Sequence, residues 1–287
     1  MPIDPDVAIG ATVADQDVTW TESDVLLYHL ALGAGDPPTD PGELRYAYEQ
    51  DLHVLPTFAV VAPNLRQFEP PALSFPGVEV DLAQVLHGSQ EITPHRPLPV
   101  AGGARATTRI VDVLDKGMAA VIVQETVLTD ADGPLCSARS MIFARGEGGF
   151  GGHRGSTPRV DLPEREPDLV VDARTEPRQA LLYRLCGDRN PLHADPAFAA
   201  AAGFARPILH GLCTYGVVCK SIVDTALDGE VARVASFGAR FAGVVHPGET
   251  LRTRLWTEPG GTLLATTTVP ERDDTVVLDG ITLTHRR

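Results

Sequence analysis

Two stretches of this chain follow one plan, and that duplication constrains its fold more than any other feature. Leu26-Leu27-Tyr28-His29-Leu30 resembles Leu181-Leu182-Tyr183-Arg184-Leu185, and Thr107-Thr108-Arg109-Ile110 resembles Arg252-Thr253-Arg254-Leu255. The matches share an order and a similar separation, as two diverged copies of one unit would. Each half opens with a helical stretch, 22–33 or 176–186, and a loop with Pro and Asp leads to a second helical stretch. Strands follow, over 105–114, 118–129 and 135–145 in the first half and 234–245, 249–257, 262–270 and 275–285 in the second. Val, Ile, Thr and Leu dominate these runs, and Asp-Gly or Gly-Gly pairs separate several of them. Helices followed by a meander of strands predict an α+β unit, with a helix packed on an antiparallel sheet. Residues 146–168 are rich in Gly, Pro and charge and have no sustained apolar period, so they read as a connector. The expected division is 1–150, a linker over 151–175, and 176–287.

Composition narrows the function. The 287 residues carry 38 acidic and 24 basic side chains, a formal charge of −14, which argues against non-specific nucleic-acid binding. A small anionic ligand needs only a local basic pocket. Only Lys116 and Lys220 are lysine, so each is singled out. No run approaches the roughly 18 apolar residues of a spanning helix, so membrane insertion is not expected. The start, MPIDPDVAIG, has no basic and apolar leader pattern, and the end, THRR, matches no sorting signal. Cys136, Cys186, Cys213 and Cys219 form no CxxC pair and sit in apolar runs, which predicts reduced, buried thiols in a cytoplasmic protein.

The densest chemistry lies in 183–196, YRLCGDRNPLHADP. A helix ending near Gly187 leaves Asp188, Asn190 and His193 on a loop stiffened by Pro191. A carboxylate beside an imidazole can take a proton at one group and deliver one from the other, and Asn190 can orient a water or a substrate oxygen. Asp and Asn also favour such loops for backbone bonding alone. His193 and Asp195 without a third ligand nearby make a poor metal site. Downstream, Leu212, Tyr215, Val218, Cys219 and Ile222 recur at helical spacing over 211–224. Gly211 sits at the start of that helix, where free N–H groups can hold a developing oxyanion or where a glycine merely permits close packing.

The stretch GDRNPLHADPAFAAAAGFARPILHGLCTYG, 187–216, resembles the signature of hydratase 2, the (R)-specific enoyl-CoA hydratases of the MaoC-like group. LPTFAVV at 55–61, LHGSQEI at 86–92, RPLP at 96–99, DVLDKG at 112–117 and GGFGG at 148–152 resemble blocks of that family in the same order. The resemblance implies a double hot dog fold, each half wrapping an antiparallel sheet around a long central helix. It also implies that only the C-terminal half keeps the catalytic loop, while the N-terminal half opens to receive the acyl chain. ALGAGDPPTDPGEL, 31–44, lacks the Asp-x-Asn-Pro-x-His arrangement, which fits. The implied reaction is reversible hydration of a trans-2-enoyl-CoA to a (3R)-3-hydroxyacyl-CoA.

By the same resemblance Asp188 and His193 are the catalytic pair, Asn190 their helper, and Gly211 the donor to the thioester carbonyl. His87, Gly88, Lys116, Arg189, Pro191, Leu192 and Phe241 fall at substrate-binding positions, and the segment near 44–75 would shape the acyl cavity. Lys116 reads equally well as a solvated hairpin charge. No metal or redox cofactor is implied, CoA being part of the substrate, and a homodimer is expected by analogy. A thioesterase, a dehydratase of carrier-protein thioesters and a non-catalytic binding subunit are the rival readings on this fold.

Overall fold

The structure, a computed structural model, describes residues 3–69, 74–80, 84–156 and 160–286. Part of the 44–75 segment and three positions of the expected linker lie outside the described residues.

The first half contains α1 (Pro5–Ala8), β1 (Thr12–Trp20), α2 (Glu22–Ala31) and α3 (Pro41–Ala47). A small pair follows, β2 (Ser74–Phe75) with β3 (Val78–Glu79), and then β4 (Val85–Pro94), β5 (Gly102–Asp115), β6 (Ala119–Asp130) and β7 (Gly133–Arg145). The second half contains β8 (Leu169–Arg174), α4 (Gln179–Tyr183), α5 (Pro196–Ala201), α6 (Gly211–Ala226), β9 (Val234–Phe241), β10 (Thr250–Glu258), β11 (Thr262–Val269) and β12 (Thr275–His285).

Ten of these strands form one antiparallel sheet in the order β1-β5-β6-β7-β4-β9-β12-β11-β10-β8. Read inward from either edge, the halves have the same permutation, with the first strand of each half at the edge and its second strand at the centre. The sequence duplication is therefore a duplication of topology, and the arrangement is a double hot dog. β4 and β9 join the halves through the pairs Ser89↔Arg240, Gln90↔Ala239, Glu91↔Gly238 and Ile92↔Phe237. Inward-facing side chains of both halves, from Val18 and Trp20 to Ile281 and Leu283, share one hydrophobic core. Among the described residues no helix is long and apolar enough to cross a membrane.

Two expectations need correction. The linker ends sooner than residue 175, because Leu169–Arg174 forms β8 on β10, with pairs such as Thr253↔Val171. This is a largely exposed edge strand, so it lacks the apolar alternation that marks the others. The second correction concerns the long central helix, which among the described residues occurs only in the C-terminal half, as the 16-residue α6. At the matching place the N-terminal half has 3-10 turns over Pro56–Val60 and Ala62–Asn64. Pro56 and Pro63 lack the N–H that an α-helical ladder would use, which limits this stretch to short turns.

Candidate active site

The loop of Asp188 and His193 begins where α4 tightens into a 3-10 turn, Arg184–Cys186, and stops at Gly187, whose φ is 107°. Asp188 and Asn190 then brace the loop. The Asn190 N–H donates to Asp188 Oδ1 at 3.1 Å, and the Leu192 N–H donates to Asn190 Oδ1 at 3.0 Å. Each side chain thus does the turn-capping work that Asp and Asn favour, and each still lines a cavity of about 600 Å³. Pro191–His193 completes the loop as another 3-10 turn.

His193 is buried, and its Nδ1 lies 2.9 Å from the Ile208 carbonyl oxygen. A carbonyl only accepts, so Nδ1 carries the proton and Nε2 keeps its lone pair. Burial pushes the His193 pKa down, and the neighbouring Asp188 charge opposes that shift. Asp195 is turned to other work, accepting the Ala197 N–H at 2.8 Å as the cap of α5. The metal reading of His193 with Asp195 therefore has no support in the geometry. Asp188, His193 and His210 do bring potential ligand atoms within 4.8 Å of one another. However, the two imidazoles are stacked, with planes 28° apart. An ion in the plane of one ring lies off the plane of the other, a poor chelate.

Gly211 is the first residue of α6 and lines the same cavity. Among the described residues its N–H meets no protein acceptor, as expected for a first-turn amide. The close-packing reading holds as well: a Cβ here would lie 3.1 Å from Phe241 Cε1. Phe241 in turn sits 4.8 Å, centroid to centroid, from His87. Burial drives the His87 pKa to about 4, and its Nε2 is sealed from solvent without a partner.

Asp188, Asn190, Leu192, His193, Gly211, His87, Gly88 and Phe241 are thus gathered around one cavity. Arg189 and Pro191 are not among its lining. The loop alternates, and the Arg189 guanidinium lies over the Phe68 ring, 5.8 Å from its centroid. Lys116 lines an adjoining cleft of about 900 Å³ that shares Gly88, Phe143 and Arg240 with the first. Its ammonium donates to the Arg154 carbonyl at 2.5 Å.

The apolar wall comes from Phe204, Ile208, Leu209, Leu212, Val245 and Val277, among others. None of the described residues of 44–75 lines this cavity. Leu52, Val54, Leu55, Phe58, Val61 and Leu65 bury themselves in the shared core instead. Sequence reasoning assigned no separate role to His210, which stands inside the 187–216 signature just before Gly211.

A neutral imidazole, a carboxylate and a free helix-end amide around an apolar chamber form a site for acid–base chemistry on a carbonyl compound with a hydrophobic tail. Comparison with known proteins places the chain in a family. Residues 159–276 match the MaoC like domain, and residues 18–146 match the MFE-2 hydratase 2 N-terminal domain. The chain is 54% identical over 284 residues to the enoyl-CoA hydratase ChsH3 of Mycobacterium tuberculosis, covering 99% of each protein. It is 40% identical to a peroxisomal enoyl-CoA hydratase 2 of Arabidopsis thaliana, covering 95% of this chain and 93% of that one. The crystal structure of a MaoC-like dehydratase from Phytophthora capsici superposes with a TM-score of 0.90 at 32% identity, covering 99% of this chain and 98% of the other. The chain belongs to the MaoC-like hydratase 2 family.

Proposed function

We propose that the protein reversibly hydrates trans-2-enoyl-CoA thioesters to (3R)-3-hydroxyacyl-CoA. The observation that carries this reading is the convergence of Asp188, His193 and the Gly211 amide on one apolar-walled cavity. The thioester carbonyl makes the β-carbon of the substrate electrophilic. A water held between Asp188 and His193 Nε2 adds its oxygen there. One of its protons passes to the pair, and the pair delivers a proton to the α-carbon, so both groups end as they began. Negative charge gathers on the thioester oxygen during attack, where the Gly211 N–H stabilises it. Asn190 holds the loop geometry and faces the water. These steps move protons and form a C–O bond, so the residues named suffice without a metal or redox cofactor.

Gly88, Phe143 and Arg240, common to both cavities, offer a route for the carrier arm toward Lys116, whose cation suits a phosphate. His87 and Phe241 would pack beside the thioester. Leu192 contributes apolar wall, while Arg189 and Pro191 act through the loop's shape. The resemblance alone carries the expectation of a cytoplasmic homodimer.

Incubation with crotonyl-CoA tests the proposal. Loss of the enoyl absorbance with formation of the (3R) alcohol is expected, and Asp188→Asn and His193→Ala each lower kcat by about 10²- to 10⁴-fold. Release of free thiol with the enoyl absorbance intact would instead mark a thioesterase.

A further inference from the structure

His210 stands outside the proposed chemistry, yet it touches all of it. The residue is 1% exposed, and its ring stacks on that of His193, with centroids 3.7 Å apart. Its Nε2 faces the Asp188 carbonyl oxygen at 3.4 Å, so Nε2 carries the proton. Nδ1 is buried without a partner. Its own carbonyl accepts the Cys213 and Thr214 N–H groups, both at 3.1 Å, which makes it the first capping residue of α6. The next residue is Gly211. The Tyr183 ring packs on His210 as well, 4.9 Å away between ring centroids.

We infer that His210 is a positioning residue, whose stacked ring holds the His193 imidazole with Nε2 toward the cavity and keeps water off its rear face. This inference rests on the hydratase reading. One residue thereby ties the base, the main chain of the carboxylate and the start of the helix that carries the oxyanion donor. An unpaired buried nitrogen is costly, so Phe would be the cheaper filler of this space. The bond to the Asp188 carbonyl gives a reason for His.

The charged and titratable groups that bear on His193 are Asp188 on its own loop, Arg184 on the turn before it and His210 before α6, against which Tyr183 of α4 packs. His87 on β4 lines the same cavity. With the stack in place, burial holds His193 neutral at physiological pH. With the ring removed, water reaches the imidazole and its pKa rises toward the ordinary value.

Two variants separate the ring from its hydrogen bond. His210→Gln keeps a donor and much of the volume but loses the ring. His210→Phe keeps the ring and loses the donor. His210→Gln is expected to lower kcat on crotonyl-CoA by about 10- to 100-fold with KM little changed, and to move the acidic limb of the kcat/KM profile to higher pH. His210→Phe is expected to retain most of kcat and the wild-type limb. Nitrogen-15 NMR titration of His193 in the three proteins reads the same shift without any substrate. If crotonyl-CoA is not hydrated by the wild type, the reaction assignment fails while this titration still tests the stack. Equal kcat and equal His193 titration in wild type and His210→Gln would overturn the inference. So would a His210→Phe as impaired and as shifted as His210→Gln.

Discussion

Gly187 carries the heaviest steric demand near the site. A Cβ there would lie 1.9 Å from the carbonyl oxygen of Asn64 in the other half, and its φ of 107° already disfavours any side chain. Gly187→Ala is expected to lower stability by about 2–5 kcal/mol, read as a lower urea midpoint. Activity is expected to fall with it, because the same residue sets the entry to the loop of Asp188 and His193. Legibility at this scale followed chemistry. Asp188, Asn190, His193 and Gly211 stood out because polar residues and a helix-start glycine are packed into a short motif. His210 stood within the 187–216 signature but was given no role of its own, because its place against His193 shows only in the stack. Arg189 could not be told from its neighbours, since which side chain of a tight loop turns outward depends on its dihedral angles.

The best-capped element is α2. Thr21 and Asp24 form a reciprocal capping box, and Arg66 grips Asp24 with two bonds, at 2.8 and 2.9 Å. The Arg66 guanidinium, with Thr21, holds the Asp24 carboxyl down to about 2, against an ordinary 3.8. A depressed carboxyl stabilises the fold above its unfolded pKa and loses that contribution as pH falls through its folded one. The window here runs from about 4 down to about 2. Arg66 is largely exposed, so solvent screening limits the effect. Asp24→Asn is expected to cost about 1 kcal/mol at neutral pH and nothing at the acid end. Urea midpoints measured across that range check it. The strands rich in Val, Ile and Thr lay close to their predicted bounds. β1, β4 and β8 were passed over, because Asp15 and Asp17 interrupt β1, only Val171 and Ala173 of the short β8 pack on the core, and β4 stood out only as a block of residues. In the N-terminal half only Pro56 and Pro63 hinted that the central helix is replaced by 3-10 turns, since the residues around them are as apolar as a helix would be.

At the scale of the molecule, the two lysines divide their labour. Lys116 edges the cleft beside the site, whereas Lys220 is structural and joins the halves. Its ammonium meets Glu43 Oε1 at 2.7 Å on α3 and Asp224 Oδ2 at 2.9 Å on α6, over the ring of Tyr46. The Tyr46 hydroxyl donates to Asp224 at 2.6 Å. Lys220→Met would leave two half-buried carboxylates facing each other. It is expected to destabilise the chain by about 2–3 kcal/mol in urea unfolding, less than a fully buried pair because Asp224 reaches solvent. The duplication itself was legible from two short echoes. The joining of both sheets edge to edge was not, because pairing between distant strands leaves no periodic mark. That joint has its own consequence. β4 brings Gly88, and β9 brings Arg240 and Phe241, to the wall of one chamber. Recombination that exchanged the first half for that of a distant cousin would have to keep the four-pair ladder between them in step, or the reaction vessel would lose its floor. The two copies, free to diverge in chemistry, are bound to be inherited together.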